Sequence, residues 1–187
     1  MVNDVTVIIP SIPPRQKQLD RALKSVDNQT LPASDVIVSI DNNRAGAALN
    51  RDNALFQVKT EWTATLDDDD EFLPFHLEEL MTTAERTGAD YVYSYPEMAV
   101  QGTVNPIACF DGIPWDRNTP HETTVVALYR TKIAHDIGGY NGDWSSEGED
   151  YHFTLKFNEV GKIVHYPKAT WKWYHWGGNT SGLPDRW

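Results

Sequence analysis

The sequence predicts an α/β fold with a mostly parallel central sheet flanked by helices. Three observations carry this. Four short, continuously apolar runs read as buried strands: Val5–Ile9, Val36–Ile40, Glu61–Leu66 and Tyr91–Tyr95. Segments of helical periodicity separate them, and strands buried on both faces belong in a parallel sheet covered by helices. The chain's 187 residues, 40% of them hydrophobic, suit one domain with a real core.

The first run, Val5 to Ile9, is ended by Pro10 and by Pro13-Pro14. A helix is expected over about Gln16 to Asn28, because Leu19, Leu23 and Val26 share one face. Val36 to Ile40 is a second buried strand, stopped by the polar turn Asp41-Asn42-Asn43. Ala45 to Val58 is alanine-rich and helical, and Glu61 to Leu66 is the third strand. Pro74 suits the first turn of a helix that runs to about Arg86 and ends at Gly88. Tyr91 to Tyr95 is the fourth strand.

The second half is less regular. Gln101 to Asn118 is rich in turn formers and is left unassigned. Thr123 to Tyr129 reads as a strand, Gly138-Gly139-Tyr140 as a break, and Glu149 to Val160 as a helix with Phe153 and Phe157 on one face. Lys162 to Tyr166 and Thr170 to His175 read as two short strands. No internal repeat or linker divides the chain.

Composition excludes several classes. A net charge of -11 argues against a nucleic-acid backbone as the main partner. Cys109 is the single cysteine, so an internal disulfide and a cysteine-based zinc cage are both excluded. No apolar stretch is long enough to span a bilayer and no signal peptide is seen, so a soluble cytoplasmic protein is expected. There is no G-x-G-x-x-G, no Walker loop and no H-E-x-x-H. An EF-hand fails because Phe72 stands where its loop needs glycine.

The most informative feature is Asp67-Asp68-Asp69-Asp70, directly after a strand. Like charges at that range repel unless water or a cation screens them. Hard oxygen donors suit Mg²⁺ or Mn²⁺, which also bind phosphate oxygens. A solvated acidic turn favouring the next helix N-terminus is an equally good reading of the run alone. Ser11, Asp41 and Asp67 all fall just past strand ends, where open α/β sheets bind ligands. Glu149-Asp150 is a second acidic site, readable as helix capping or as a general base. The aromatic run Trp171 to Trp176 suits either sugar stacking or simple burial, and His175 within it is a metal ligand or an ordinary polar residue.

Taken in order, these pieces resemble a glycosyltransferase of the GT-A fold, and most closely family 2. The first strand ends in Ile9-Pro10-Ser11-Ile12, and the first helix runs into Ser25-Val26-Asp27-Asn28-Gln29-Thr30-Leu31-Pro32. Asn50-Arg51-Asp52-Asn53 loosely matches an "A-R-N" helix. Leu66-Asp67-Asp68-Asp69-Asp70-Glu71-Phe72-Leu73-Pro74 closely matches the family's D-x-D region, "L-D-x-D-D-x-x-L-P". Gly138-Gly139-Tyr140, Gly148 to Phe153 and His175 to Ser181 match its late motifs. The close of the chain, Gly182 to Trp187, also resembles small glycosyltransferases of actinobacteria and their phages. A phage-encoded member would work in the host cytoplasm.

The resemblance implies a single GT-A domain over 1–187, with a nucleotide-sugar half at about 1–100 and an acceptor and catalytic-base half at about 101–187. It places the nucleobase, expected to be uracil, on Asp41, and lines the base and ribose with Pro10, Ser11 and Ile12. Asp67 and Asp68 would face the nucleotide sugar, and Asp67, Asp69 and His175 the metal, Mn²⁺ or Mg²⁺. Arg15 and Arg51 would be diphosphate or structural contacts. Asp150 matches the catalytic base, with Glu149 beside it, in an inverting hexosyltransferase-like reaction. Trp115, His121, Trp173 and Trp176 are the residues expected on the acceptor side, for a glycan, protein or small molecule. Asn42 and Asp52 depart from the family pattern, and the Q-x-x-R-W motif of processive members is absent. A non-catalytic sugar-binding module and a two-carboxylate glycoside hydrolase are the alternatives.

Overall fold

The computed structural model describes residues 4–100, 114–121, 123–140 and 148–175, with backbone alone at 98–100 and 175. Seven strands form one sheet: β1 (Val5–Ser11), β2 (Asp35–Ile40), β3 (Trp62–Thr65), β4 (Glu71–Phe72), β5 (Tyr91–Val100), β6 (Ala127–Arg130) and β7 (Ile163–His175). Among the described residues five helices accompany them: α1 (Gln16–Asp27), α2 (Ala47–Leu55), α3 (His76–Thr87), α4 (Thr131–Asp136) and α5 (Glu149–Val160). A 3₁₀ turn, Pro13–Arg15, precedes α1, its prolines already held near helical φ.

The strand order is β2-β1-β3-β6-β5-β7-β4. β1 pairs in parallel with β2 and β3, and β5 with β7, while β6 and β4 pair antiparallel. The sheet is therefore mixed, although β1, β2, β3, β5 and β7 share the expected common direction. Their carboxyl ends gather at one end of the sheet.

Alternation along the strands divides the core in two. Val5, Val7 and Ile9 of β1, with Val92 and Leu128, pack under Leu19, Ala22 and Val26 of α1 and Leu77, Leu80 and Met81 of α3. Ile8, Tyr91, Tyr93 and Tyr129 face the other way, against Ala54 and Leu55 of α2, Ala134 of α4 and Phe153 and Phe157 of α5.

The structure differs from expectation at four places. β2 is only half-buried, because it lies at the sheet edge. Glu71–Phe72 forms a strand too short to leave a periodic signal, so α3 begins at His76, after Pro74. Thr123 to Val126 precedes the strand rather than forming it, and α4, one and a half turns long, follows at once. Finally, the two C-terminal strands are one, β7, whose pairing with β5 shifts register around Tyr95 and Pro96. Pro167 interrupts the sequence pattern there without ending the strand. The expected breaks at Gly88 and Gly138-Gly139 are found. Cys109 and the segment 176–187, with Trp176 and the motif after His175, lie outside the described residues.

Candidate active site

The carboxyl ends of β1, β2 and β3 deliver Ser11, Asp41 and the four aspartates to one crevice. Buried Asn50 of α2 ties two of these ends together. Its side-chain amide donates to the Ser11 carbonyl at 3.0 Å, and its oxygen accepts from Ser39 Oγ at 2.6 Å. The Asp41 amide also donates to the Ser11 carbonyl, at 2.9 Å.

Asp41 is buried in a nest of backbone amides. Its Oδ1 accepts from Asn43 N at 3.0 Å and its Oδ2 from Gly46 N at 2.9 Å. Burial pushes its pKa up, but backbone N–H groups from Ala45, Gly46, Asn43 and Arg44 outweigh it, and the carboxyl is held below its usual value. It stays an anion with lone pairs to offer a donor. Pro10 and Ser11 close β1, and Ile12, half-buried, leads into the 3₁₀ turn.

The acid run folds as a turn in which the Asp70 amide donates to the Asp67 carbonyl at 3.1 Å. Its four side chains then take different paths. Asp68 is turned inward: Ser11 Oγ donates to its Oδ2 at 2.7 Å and Arg15 Nη1 to its Oδ1 at 2.8 Å. Arg15 also pairs with Asp69 Oδ2 at 3.2 Å. Burial lowers the Arg15 pKa, but Asp69 and Asp68 reverse that and raise it. Arg15 and Ser11 therefore hold the acid turn itself.

Carboxylate oxygens of Asp67, Asp69 and Asp70 lie within 4.8 Å of one another. Asp70 is buried and accepts the Tyr174 amide at 3.0 Å. Burial pushes its pKa well up, and Asp67 and Asp69 push it further. Hard oxygens at that spacing, under mutual repulsion, fit a cation such as Mg²⁺ or Mn²⁺. The Tyr174 contact also brings the end of β7 to the acid turn, so the His175 backbone lies beside it.

Two residues at this turn carried no sequence signal. Arg21 of α1 donates through Nη2 to the Asp69 carbonyl at 2.5 Å and stacks on the Tyr174 ring at 3.7 Å. Tyr174 Oη donates to Glu71 Oε1 at 2.8 Å. Arg21 lies on a helix face and Tyr174 in an aromatic run, so only the tertiary fold reveals their partnership.

The second acidic site stands across the crevice at the start of α5. Gly148 precedes the helix with φ +80°, a conformation that favours glycine. Glu149 Oε1 accepts from Arg51 Nη1 at 2.5 Å, and Arg51 Nη2 donates to Asp67 Oδ1 at 2.9 Å. One buried guanidinium thus joins the two acidic sites. Asp150 Oδ1 accepts its neighbour's amide, from Tyr151, at 2.8 Å. Partial burial pushes the Asp150 pKa up; Arg51 pulls it down and Glu149 pushes it up again, and the net shift is upward.

The expected acceptor residues separate. Trp115 Nε1 donates to Asn158 Oδ1 at 2.9 Å, and its ring lies 5.3 Å from that of His121. His121 Nε2 is bonded to Tyr93 Oη at 3.2 Å. Trp173 instead packs half-buried against the α1/α3 core, on the other face of the sheet.

The family model described as glycosyl transferase family 2 matches residues 36–105, the stretch holding Asp41, Arg51 and the acid turn. No curated protein matches the chain. Among solved structures, S. aureus TarS 1-349 is 20% identical with a TM-score of 0.74, the likeness covering 90% of this chain and 60% of that one. The same fragment in complex with UDP-GlcNAc is 19% identical at a TM-score of 0.74, over 94% and 60%. The longer S. aureus TarS structure gives 19% identity and 0.72, over 92% of this chain and 37% of that one. The chain thus spans about three fifths of the TarS fragment it resembles. The chain therefore carries a segment similar to the glycosyl transferase family 2 model at residues 36–105, set on a sheet with the GT-A fold of TarS.

Proposed function

We propose that this chain transfers a sugar, with inversion, from a nucleotide-diphosphate sugar to an acceptor hydroxyl, with help from a divalent cation. The observation that carries the proposal is the gathering of Asp67, Asp69 and Asp70 oxygens at the strand ends, facing a second carboxylate pair at the start of α5. UDP is the expected nucleotide, since a TarS structure resembling this chain was solved with UDP-GlcNAc.

In this reading the half at about 1–100 binds the donor and the half at about 101–187 supplies base and acceptor site. Asp41 receives the nucleobase, with Pro10, Ser11 and Ile12 forming the wall beside it. Asp67, Asp69 and the end of β7 at His175 would hold Mn²⁺ or Mg²⁺, which would neutralise charge on the leaving diphosphate. Asp150 takes the proton of the acceptor hydroxyl as that oxygen attacks the anomeric carbon. Its raised pKa suits the task, because a base must bind the proton it removes. Holding both substrates in one crevice supplies much of the remaining acceleration.

Trp115 and His121 are the proposed acceptor contacts. Asp150, Thr154 and Asn158 stand one turn apart along α5, and Trp115 is hydrogen-bonded to the last of them. Two turns of helix span about 12 Å, so the aromatic pair would meet acceptor groups beyond the reacting hydroxyl. Trp173, on the other face of the sheet, falls outside this acceptor surface, and Trp176 lies outside the described residues.

The test is turnover of UDP-sugars with Mn²⁺, followed by release of UDP with and without candidate acceptors. Release that needs the cation and disappears in Asp150→Asn supports the proposal. Cleavage of a glycoside lacking any nucleotide would replace it with a hydrolase.

A further inference from the structure

Glu149 and Asp150 are adjacent carboxylates at one helix start, and elementary chemistry does not say which should act as base. Their surroundings differ. Glu149 is held by Arg51 at 2.5 Å, whereas the Asp150 carboxylate takes only its neighbour's amide from the described residues. We propose that Arg51 is the positioning residue of this pair: its guanidinium ties Glu149 to Asp67 and leaves Asp150 to receive the acceptor proton. This rests on the transferase reading above and adds to it a division of labour.

The geometry favours a positioning role over direct diphosphate contact. Arg51 is buried, with both terminal nitrogens committed to carboxylates on different elements. Its Nε is buried without a hydrogen-bond partner among the described residues, and its guanidinium lies 5.7 Å from the Tyr140 ring centroid. Only a planar fork can meet two carboxylates at once in this way, which a lysine's point charge cannot reproduce. The neighbouring position on α2, Asp52, fixes Tyr140 through its amide at 2.8 Å, so the same helix turn sets what lies beneath the guanidinium.

Arg51 also acts on Asp150 through its charge. The groups around Asp150 are Arg51 of α2, Asp67 beyond β3, Tyr91 of β5 and Glu149 beside it, and Arg51 is the cation among them. In the proposed step the acceptor oxygen bonds the anomeric carbon, and the bond from that carbon to the diphosphate breaks. The electron pair leaves on the nucleotide diphosphate, and the acceptor proton passes to Asp150. Arg51 gains and loses nothing; it holds Glu149 out of the proton's path and keeps Asp150 ionised to a lower pH.

The experiment compares the full chain with Arg51→Gln, Arg51→Lys, Glu149→Gln and Asp150→Asn, measuring kcat and donor KM across pH. Arg51→Gln is expected to lower kcat much more than it alters KM, and to move the acid limb of kcat upward by about one pH unit, the scale of a lost neighbouring charge. Arg51→Lys keeps the charge, so its acid limb stays in place while kcat still falls. Glu149→Gln is expected to cost less than about tenfold, against about 10²–10⁴ for Asp150→Asn. An unmoved acid limb in Arg51→Gln, or Glu149→Gln as inactive as Asp150→Asn, overturns the proposal. If Arg51→Gln fails to fold, a wild-type kcat in Arg51→Lys overturns it and a reduced kcat with an unmoved acid limb supports it. Carboxyl-carbon NMR titration of Asp150 in wild type and in a folded Arg51 variant needs no substrate. A higher midpoint without the arginine charge supports the proposal even if no donor is turned over, and an equal midpoint overturns it. Absence of turnover in the wild type sinks the transferase reading separately.

Discussion

Asp52 accepts the backbone amide of Tyr140 at 2.8 Å, fastening α2 to the loop that precedes the second acidic site. The approach is so close that a Cβ on Gly139 would stand 2.2 Å from Asp52 Oδ1, and Gly139 itself has φ +69°. Tyr140 is thereby stacked on Phe153 of α5 at 4.1 Å, with its hydroxyl bonded to Thr65 and Tyr129. The Asp52 carboxylate, which stands where the resembled family pattern has asparagine, is thus a structural tie from α2 through Tyr140 to α5.

Gly139→Ala should therefore destabilise the protein through both the clash and the left-handed backbone. We expect a loss of about 2–4 kcal/mol, read as a fall in Tm of about 2–4 °C per kcal/mol for a chain of this size. Thermal unfolding followed by circular dichroism checks this. An unchanged Tm would mean that the Asp52 contact is not close in solution.

Asp150→Asn should abolish transfer, lowering kcat by about 10²–10⁴, while nucleotide affinity stays close to wild type. Steady-state kinetics beside calorimetric titration with UDP and Mn²⁺ separates the two. Ordinary turnover in the variant would remove Asp150 from the base role.

Asp69→Ala should lose the cation dependence of nucleotide binding, because it removes one of three clustered carboxylates. Calorimetry with and without Mn²⁺ is the check, and equal affinity in wild type and variant would count against the metal assignment.

His76 makes stability depend on pH. It is fully buried, stacked on Phe72 at 3.8 Å, bonded through Nδ1 to Thr170 Oγ1 at 2.7 Å, and its Nε2 lacks a partner among the described residues. Burial lowers its pKa to about 3, from an ordinary value of 6.5. The unfolded chain then binds the extra proton between those values, so this contribution is present above pH 6.5 and is lost as pH falls toward 3. The slope is at most about 1.4 kcal/mol per pH unit. Asp70 and Asp150, whose pKa values are raised, act in the opposite sense, so the wild-type profile alone does not isolate the histidine. Denaturant unfolding of wild type and His76→Gln at pH 7 and pH 5 should show the variant losing less stability on acidification. Parallel losses would contradict the prediction.

Much of this was legible in the sequence, and for identifiable reasons. The runs at β1 and β3 are continuously apolar because both strands lie in the sheet interior, and α1 and α5 keep their apolar faces because each covers a core. Asp41, the acid turn and Glu149-Asp150 were visible because they follow or precede such elements directly. The roles inside the acid turn were not visible. Four identical residues divide between a buried Arg15 contact, a cluster of carboxylates and a strand amide only once β1, α1 and β7 converge on them. The Arg51 bridge was hidden for the same reason, since its two partners are distant in the chain and come from different elements. β4 and α4 were missed because two-residue strands and one-and-a-half-turn helices are set by their neighbours rather than by periodicity.

The central claim is a nucleotide-diphosphate site built on Asp41 and the acid turn. Its most direct test is thermal stabilisation of the full chain by UDP, GDP, TDP and CDP, each with and without Mn²⁺, because a ligand that binds only the folded state raises Tm. The account predicts a rise with UDP that depends on the cation and disappears in Asp69→Ala. No shift with any nucleotide, with or without Mn²⁺, would contradict it.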